Sequence, residues 1–410
     1  MLKHATGSLS FILMPVLMEA TMVAGTPPLP RVGVRDGRFV AEGKEFRPRG
    51  FNYVRLRPTW HGTFSPKRYE ATRAEAMLAD LEAHGFNIVR VFIDHDAGEG
   101  VVAARDATEL SPAFMANVLD FLGRALRHRV YVVPSLIHLP QCKRYSDMLG
   151  EPPANVGGAN VFYLSQGHID SKARYVADFA AAVRKHDPGL LTTVFAYELD
   201  NETHLQATAP PFSLAAGAAT PANGKTYDLS SEDDLQRMAD DNVARWANAC
   251  AEAIRKADPA AMVSTNVFTF RAIGRSGPGR LRRDQSKDRR FPARPLALAE
   301  TSLDYLDIHF YPFDDQTLDR DLASIEFEQL KTACAKRGKP LVMGEFGAFK
   351  GPYKTLPEAA AAMTRHVRRV ADLGFAGYIY WTYDCDEQAF LWNAKSGRGE
   401  IFQALAEMHR

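Results

Sequence analysis

The sequence predicts an α/β fold, a (β/α)8 or TIM barrel with an N-terminal β-hairpin and long loops after the third, fourth and fifth strands. Three observations carry that expectation. Eight short runs rich in β-branched and aromatic residues recur along the chain, segments of helical spacing separate most of them, and no glycine-rich phosphate loop follows an early strand. Apolar strands alternating with helices indicate a parallel sheet covered on both faces. Eight such units favour closure into a barrel. An open doubly wound sheet would bring G-x-G-x-x-G or G-x-x-x-x-G-K-S/T, and neither occurs.

Residues 1–25 place one firm positive charge (Lys3) before an apolar stretch, Ser10 to Met18, and small residues ending at Gly25. That is the order of a secretory signal peptide. Glu19 interrupts it, so a disordered leader is the alternative. The apolar run falls short of the ~20 residues that span a bilayer. A secreted or periplasmic location follows if the leader is a signal, a cytoplasmic one otherwise. Residues 31–410 are expected to form one catalytic domain. It opens with the turn pairs Asp36-Gly37 and Glu42-Gly43, which read as a small hairpin because Asp-Gly tolerates the positive φ of tight turns.

The expected strands are Arg49–Val54, Phe86–Ile93, Val130–Ile137, Thr192–Leu199, Ala261–Phe268, Tyr305–Phe310, Pro340–Gly344 and Gly377–Trp381. Helical spacing covers Pro66–His84, Ser111–His128, Ser171–His186, Ser230–Lys256, Asp319–Arg337, Leu356–Leu373 and Glu400–His409, with a short segment at Pro295–Ser302. Ser65-Pro66 and Ser111-Pro112 look like N-cap and first-turn pairs. The long connections Leu139–Asp170, Thr203–Leu229 and Thr269–Arg294 all follow strands. They therefore gather on the C-terminal face, where barrel active sites are built.

Composition narrows the function. The chain has 410 residues, 46% hydrophobic and 24% charged, with a formal net charge of +1. No whole-molecule field steers it to nucleic acid or a membrane, and a monomer is expected. Cys142, Cys250, Cys334 and Cys385 form no C-x-x-C pair, which excludes a zinc ribbon. They could form disulfides, but buried or free thiols are the plainer reading.

At or near the strand ends stand Arg90, His138, Asn201, Glu202, His309, Tyr311, Glu345 and Trp381. Each alone could be structural. Eight polar groups at matching ends of six strands are hard to satisfy unless they form a site.

The segments RGFNYV, NIVRVF, ELDNE, DIHFYP, VMGEFG and YIYWTY, in this order and with a histidine ending the third strand, resemble glycoside hydrolase clan A, most closely family 5, the cellulase and mannanase family. The resemblance runs from about residue 31 to the C-terminus. It departs at Asn201-Glu202-Thr203, where members commonly have Asn-Glu-Pro; loss of the proline alters loop geometry and leaves the chemistry intact. The resemblance implies a retaining β-glycosidase acting on a β-linked glucan or mannan, with Glu202 as acid/base and Glu345 as nucleophile. It implies that Arg90 and Tyr311 hold the nucleophile, Asn201 meets the 2-hydroxyl, His309 tunes Glu202, His138 binds a sugar hydroxyl and Trp381 stacks on the ring. No cofactor or metal is expected. An exo-acting or transglycosylating relative and a non-catalytic carbohydrate-binding barrel are the alternatives.

Other polar residues compete for roles. Asp94, His95 and Asp96 could be a metal cluster but read better as a loop lining the cleft, since no His-x-His or His-Glu-x-x-His occurs. Glu198 is expected as a buried structural partner, Asp384 and Asp386 as rim or loop residues. Of Trp60, Phe64, Tyr145, Tyr163, Phe212 and Trp392, half are expected in loop cores and the others in outer sugar subsites. Between Arg271 and Arg294 nine positive residues face two negative ones, a local +7. A solvated, mobile loop is the plain reading; contact with an anionic glycan is the sharper one.

Overall fold

Eight parallel strands close the barrel in sequence order. They are β1 (Arg49–Tyr53), β2 (Ile88–Phe92), β3 (Tyr131–Ser135), β4 (Tyr197–Glu198), β5 (Val263–Ser264 and Asn266–Phe268), β6 (Leu306–His309), β7 (Leu341–Phe346) and β8 (Gly377–Tyr380). The computed structural model describes residues 26–57, 60–284, 287–311 and 315–409, and the expected leader, 1–25, lies outside them. Closure is made within β5. Val263 and Ser264 pair with β4, the ladder breaks at Thr265, and Asn266 to Phe268 pair with β6.

Outside the strands lie α1 (Ala71–Ala83), α2 (Pro112–Arg127), α3 (Gln166–His186), α4 (Glu232–Ala257), α5 (Pro295–Ala299), α6 (Ile325–Arg337), α7 (Leu356–Asp372) and α8 (Glu400–Glu407), with a further helix, Asp315–Leu322, before α6. Side-chain caps start four of these eight labelled helices, α2, α4, α6 and α7. Ser111 Oγ accepts the Phe114 N–H ahead of α2, and Thr355 with Glu358 forms a capping box on α7. Three expected helices differ: the single one expected at Asp319–Arg337 is two, Asp315–Leu322 and α6, because Ser324 Oγ accepts the Phe327 N–H and starts a new helix. Ser65 is fully buried with its hydroxyl donating to Glu99, and α1 begins beyond it at Ala71, preceded by Glu70. Helix α3 begins at Gln166, earlier than the expected Ser171. Strand β4 is reduced to Tyr197 and Glu198: of the expected Thr192–Leu199, Thr192 belongs to the 3-10 turn Pro188–Thr192 and Val194 keeps a single bridge to Val132.

The hairpin is a three-stranded meander, Val32–Arg35, Arg38–Ala41 and Lys44–Glu45, and both its turns use positive φ at each central residue. It covers the N-terminal end of the barrel. Phe39 meets Phe195 and Tyr305 at ring-centroid distances of 5.0 and 5.3 Å, and Phe46 meets Tyr131 at 5.1 Å. All four cysteines are buried free thiols. Among the described residues no helix is long and apolar enough to cross a membrane.

Candidate active site

Every strand-end residue singled out in the sequence lies at the C-terminal mouth, and Arg90 is the hub. Its side chain, on the third residue of β2, is fully buried. Nε donates to Glu198 (2.7 Å), Nη1 to Asn52 (2.9 Å) and Glu345 (2.5 Å), and Nη2 to Asn201 (2.7 Å). Burial opposes its charge, but Glu198, Glu345 and Asp307 outweigh burial and hold the guanidinium protonated, above its ordinary range. Such a pair must be fully hydrogen-bonded to offset its desolvation. Glu198 is thus the buried partner expected.

Glu345 reaches the mouth through a bulge. Between Asp307 and His309 on β6, β7 spends one extra residue, and it does so again against β8. A bulge re-aims the side chain that follows it. Gly344 is required here because a Cβ would lie 1.9 Å from Asp307 Oδ2. Arg90 holds Glu345 Oε1, and the Tyr311 hydroxyl donates to Oε2 at 2.8 Å. Burial pushes the Glu345 carboxyl up; His309, Arg90 and the Tyr311 hydrogen bond recover part of that shift.

Glu202 sits where β4 gives way to its long loop, at φ +53°. A non-glycine residue there costs roughly 1–2 kcal/mol, so the neighbours must hold it. Asn266 on β5 does so: its Oδ1 accepts the Glu202 N–H and its backbone carbonyl accepts the Thr203 N–H at 3.0 Å. Thr203, standing where proline is common, therefore adds a hydrogen bond that proline would lack. The Glu202 side chain is 24% exposed. Burial raises its pKa, opposed first by Arg290 and then by His204.

His309 Nδ1 lies 3.4 Å from both Glu202 Oε1 and Glu345 Oε2. Burial keeps this imidazole neutral, with its pKa lowered to about 4. The carboxylate oxygens of Glu202 and Glu345 come within 4.8 Å of each other. These three residues, and Asp94 with His95 and Asp96, could each offer donors to a cation. At the first cluster the Arg90 guanidinium already supplies the positive charge.

His138, at φ +47°, is half exposed, with Nδ1 3.4 Å from Asp200. Asp200 raises its pKa. Lys172, buried beneath, donates to the carbonyls of Leu136 and His138 and fixes that turn. Trp381 is 7% exposed, packs edge-on against Phe92 at 5.6 Å and donates its indole N–H to Gln388. Beside Glu202 opens a cavity of about 610 Å³, bounded by His95, His138, Phe162, Asn201 and His204. Trp60 is 56% exposed, Phe64, Tyr145 and Phe212 are buried in loop cores, and Tyr163, also buried, lines that cavity. Asp384 is taken up by Arg55 and Arg73, and Asp386 by Asn393.

The basic loop is solvated in part: Arg271, Arg280, Lys287 and Arg289 are exposed, while the other five cations are tied to neighbouring residues. Arg275 is 3% exposed and donates to the carbonyls of Asp288 and Arg290, Arg282 to those of Leu214 and Leu229, Arg283 pairs with Glu232 and Arg294 with Asp240. Arg290 reaches Glu202 itself, 3.2 Å from Oε2. Nothing in the spacing of a charge-dense loop marks that residue.

The architecture is that of a (β/α)8 barrel enzyme with its polar groups gathered at the strands' C-terminal ends. Residues 40–386 match the cellulase family, glycosyl hydrolase family 5. The chain belongs to that family and is a glycosidase of β-glycans. Solved structures share the fold at low identity. An endo-1,4-beta-mannanase from Rhizomucor miehei is 15% identical with a TM-score of 0.64, over 92% of this chain and 99% of that one. An endo-1,4-beta-D-mannanase from Thermotoga petrophila is 14% identical (TM-score 0.59, 88% and 100%), and an exo-beta-1,4-mannosidase from an Opitutaceae bacterium 17% (0.55, 92% and 61%). No curated protein matches the sequence.

Proposed function

We propose that the protein hydrolyses β-linked glycans of the mannan or glucan type with retention of configuration. The observation that carries this reading is the approach of the Glu202 and Glu345 oxygens to within 4.8 Å. Retaining enzymes hold their carboxyl groups ~5–5.5 Å apart, and inverting ones leave room for a water at ~6.5–9.5 Å. The mannanase and mannosidase neighbours make β-1,4-mannan the first substrate to try.

Glu345 attacks the anomeric carbon while Glu202 gives its proton to the departing glycosidic oxygen. The product is a glycosyl ester on Glu345 and a free hydroxyl on the leaving sugar. Glu202, now a carboxylate, takes a proton from water as that water's oxygen attacks the same carbon and frees Glu345. Arg90 and Tyr311 stabilise the carboxylate that leaves in this second step. Asn201, bonded to Arg90, presents its amide to the 2-hydroxyl, His138 meets a hydroxyl from the β3 side and Trp381 lies under the ring.

Glu345→Ala and Glu202→Ala should each lower kcat ~10³-fold or more with the fold intact by circular dichroism. Azide should restore turnover of an aryl β-mannoside or β-glucoside, giving the inverted glycosyl azide with the first variant and the retained one with the second. Near-normal activity in either variant removes the assignment, and sugar binding without reducing-end release would mark a binding protein.

A further inference from the structure

Arg290 lies on the loop after β5, yet it points at a residue 88 positions earlier. Two independent contacts deliver it. Arg290 and Phe291 pair antiparallel with Gln206 and Leu205, so the loops after β4 and β5 are joined a few residues beyond Glu202. The guanidinium is also stacked on Phe268 at the end of β5, 4.1 Å from the ring centroid. Asp288 then grips it as a fork, accepting from Nε at 3.0 Å and from Nη2 at 2.7 Å, which leaves Nη1 directed to Glu202 Oε2. Oε1, the other oxygen, faces His309. The two oxygens of one carboxyl therefore have different neighbours, a cation outside and a neutral imidazole inside.

We infer that Arg290, held by Asp288, is a positioning residue for Glu202: it orients the carboxyl and sets the balance between its acid and base forms. The inference rests on the acid/base reading of Glu202 given above. The two half-reactions make opposite demands, a proton for the leaving group and a carboxylate for the water. Burial alone would favour the protonated form. A full cation alone would favour the carboxylate. An arginine already paired with Asp288 exerts a tempered pull between those limits.

Glu202 also faces Arg90 from β2, His204 from its own loop, His309 and Tyr311 from the β6 side and Glu345 from β7. These groups are common to all variants of the pair, so their effects cancel in a comparison. Removing Arg290 and removing the charge of Asp288 should then act with opposite signs. Damage to packing would not reverse its sign between the two.

The test is the pH dependence of kcat/KM on whichever of β-1,4-mannotetraose and β-1,4-cellotetraose turns over faster. Arg290→Met should move the alkaline limb up by ~1 pH unit, and Asp288→Asn should move it down by a similar amount. Arg290→Lys should fall between Arg290→Met and the wild type, with all three melting as the wild type does. Limbs that stay put, or move the same way in both variants, overturn the inference while Glu202→Ala remains inactive. If Glu202→Ala is as active as the wild type, or neither substrate is cleaved, the acid/base reading fails and this one with it.

Discussion

The two ends of the barrel are made by the same strands and differ in almost everything else. At the N-terminal end Phe195, Tyr305 and Tyr131 meet Phe39 and Phe46 of the meander in an aromatic seal. Two or three residues further along, the same strands carry Glu198 and Asp307, buried around Arg90. Packing at the lower end needs only apolar area and shape. At the upper end every charge needs its partner, and Arg90 alone is bonded to Glu198, Glu345, Asn52 and Asn201. Stability is built at one end and spent at the other, as expected where a site must keep reactive groups poised.

That contrast can be broken by substitution. Arg90→Met should have the largest effect, because it strands Glu198 and Glu345 as buried acids. A loss of about 3–5 kcal/mol in unfolding free energy is expected, with kcat down ~10³-fold. Urea denaturation with initial rates checks it; a stable, active variant would show that the hub is dispensable. Phe39→Ala should cost a comparable or smaller amount, about 3–5 kcal/mol at most, and leave kcat unchanged below its melting temperature. A fall in kcat there would couple the two ends.

The smallest effect concerns pH. His309 is neutral in the folded protein down to about pH 4, because burial opposes its charge. The unfolded chain takes up that proton near pH ~6.5. Between those values the unfolded state binds more protons, so wild-type stability falls as pH falls, by at most about 1.4 kcal/mol per unit from this group. His309→Asn lacks the term. Its stability relative to the wild type should therefore improve from pH 7.5 to pH 5, whereas that of Phe39→Ala should not change. Equal shifts for the two variants would contradict a neutral, buried His309.

The hairpin and the strands were legible in the sequence for local reasons. Asp36-Gly37 and Glu42-Gly43 carry their turn geometry in two residues each, and the β-branched runs survive as strands wherever both faces are covered. The motifs singled out Glu202 and Glu345, and one oxygen of each lies within 4.8 Å of the other. What escaped notice depended on distant partners. Ser65 is bonded to Glu99, 34 residues on, and does not start a helix, and strand β5 changes partner at Thr265, pairing with β4 before it and with β6 after it. The bulge in β7 leaves no local mark beyond Gly344, whose need arises from Asp307. Arg290 was one cation among nine until the pairing with Leu205 and Gln206 singled it out.

That short pairing has a consequence for how the protein can change. Loops on a barrel are usually free to diverge one at a time, each grafted on a strand that does not feel the exchange. Here the β4 and β5 loops share a ladder, with Asn160 bonded to the Gln206 backbone on one side and Arg275 bonded to the Arg290 carbonyl on the other. A transplant of either loop alone would leave edge amides unpaired beside Glu202. New specificity at this rim has to be inherited, or engineered, as a two-loop cassette.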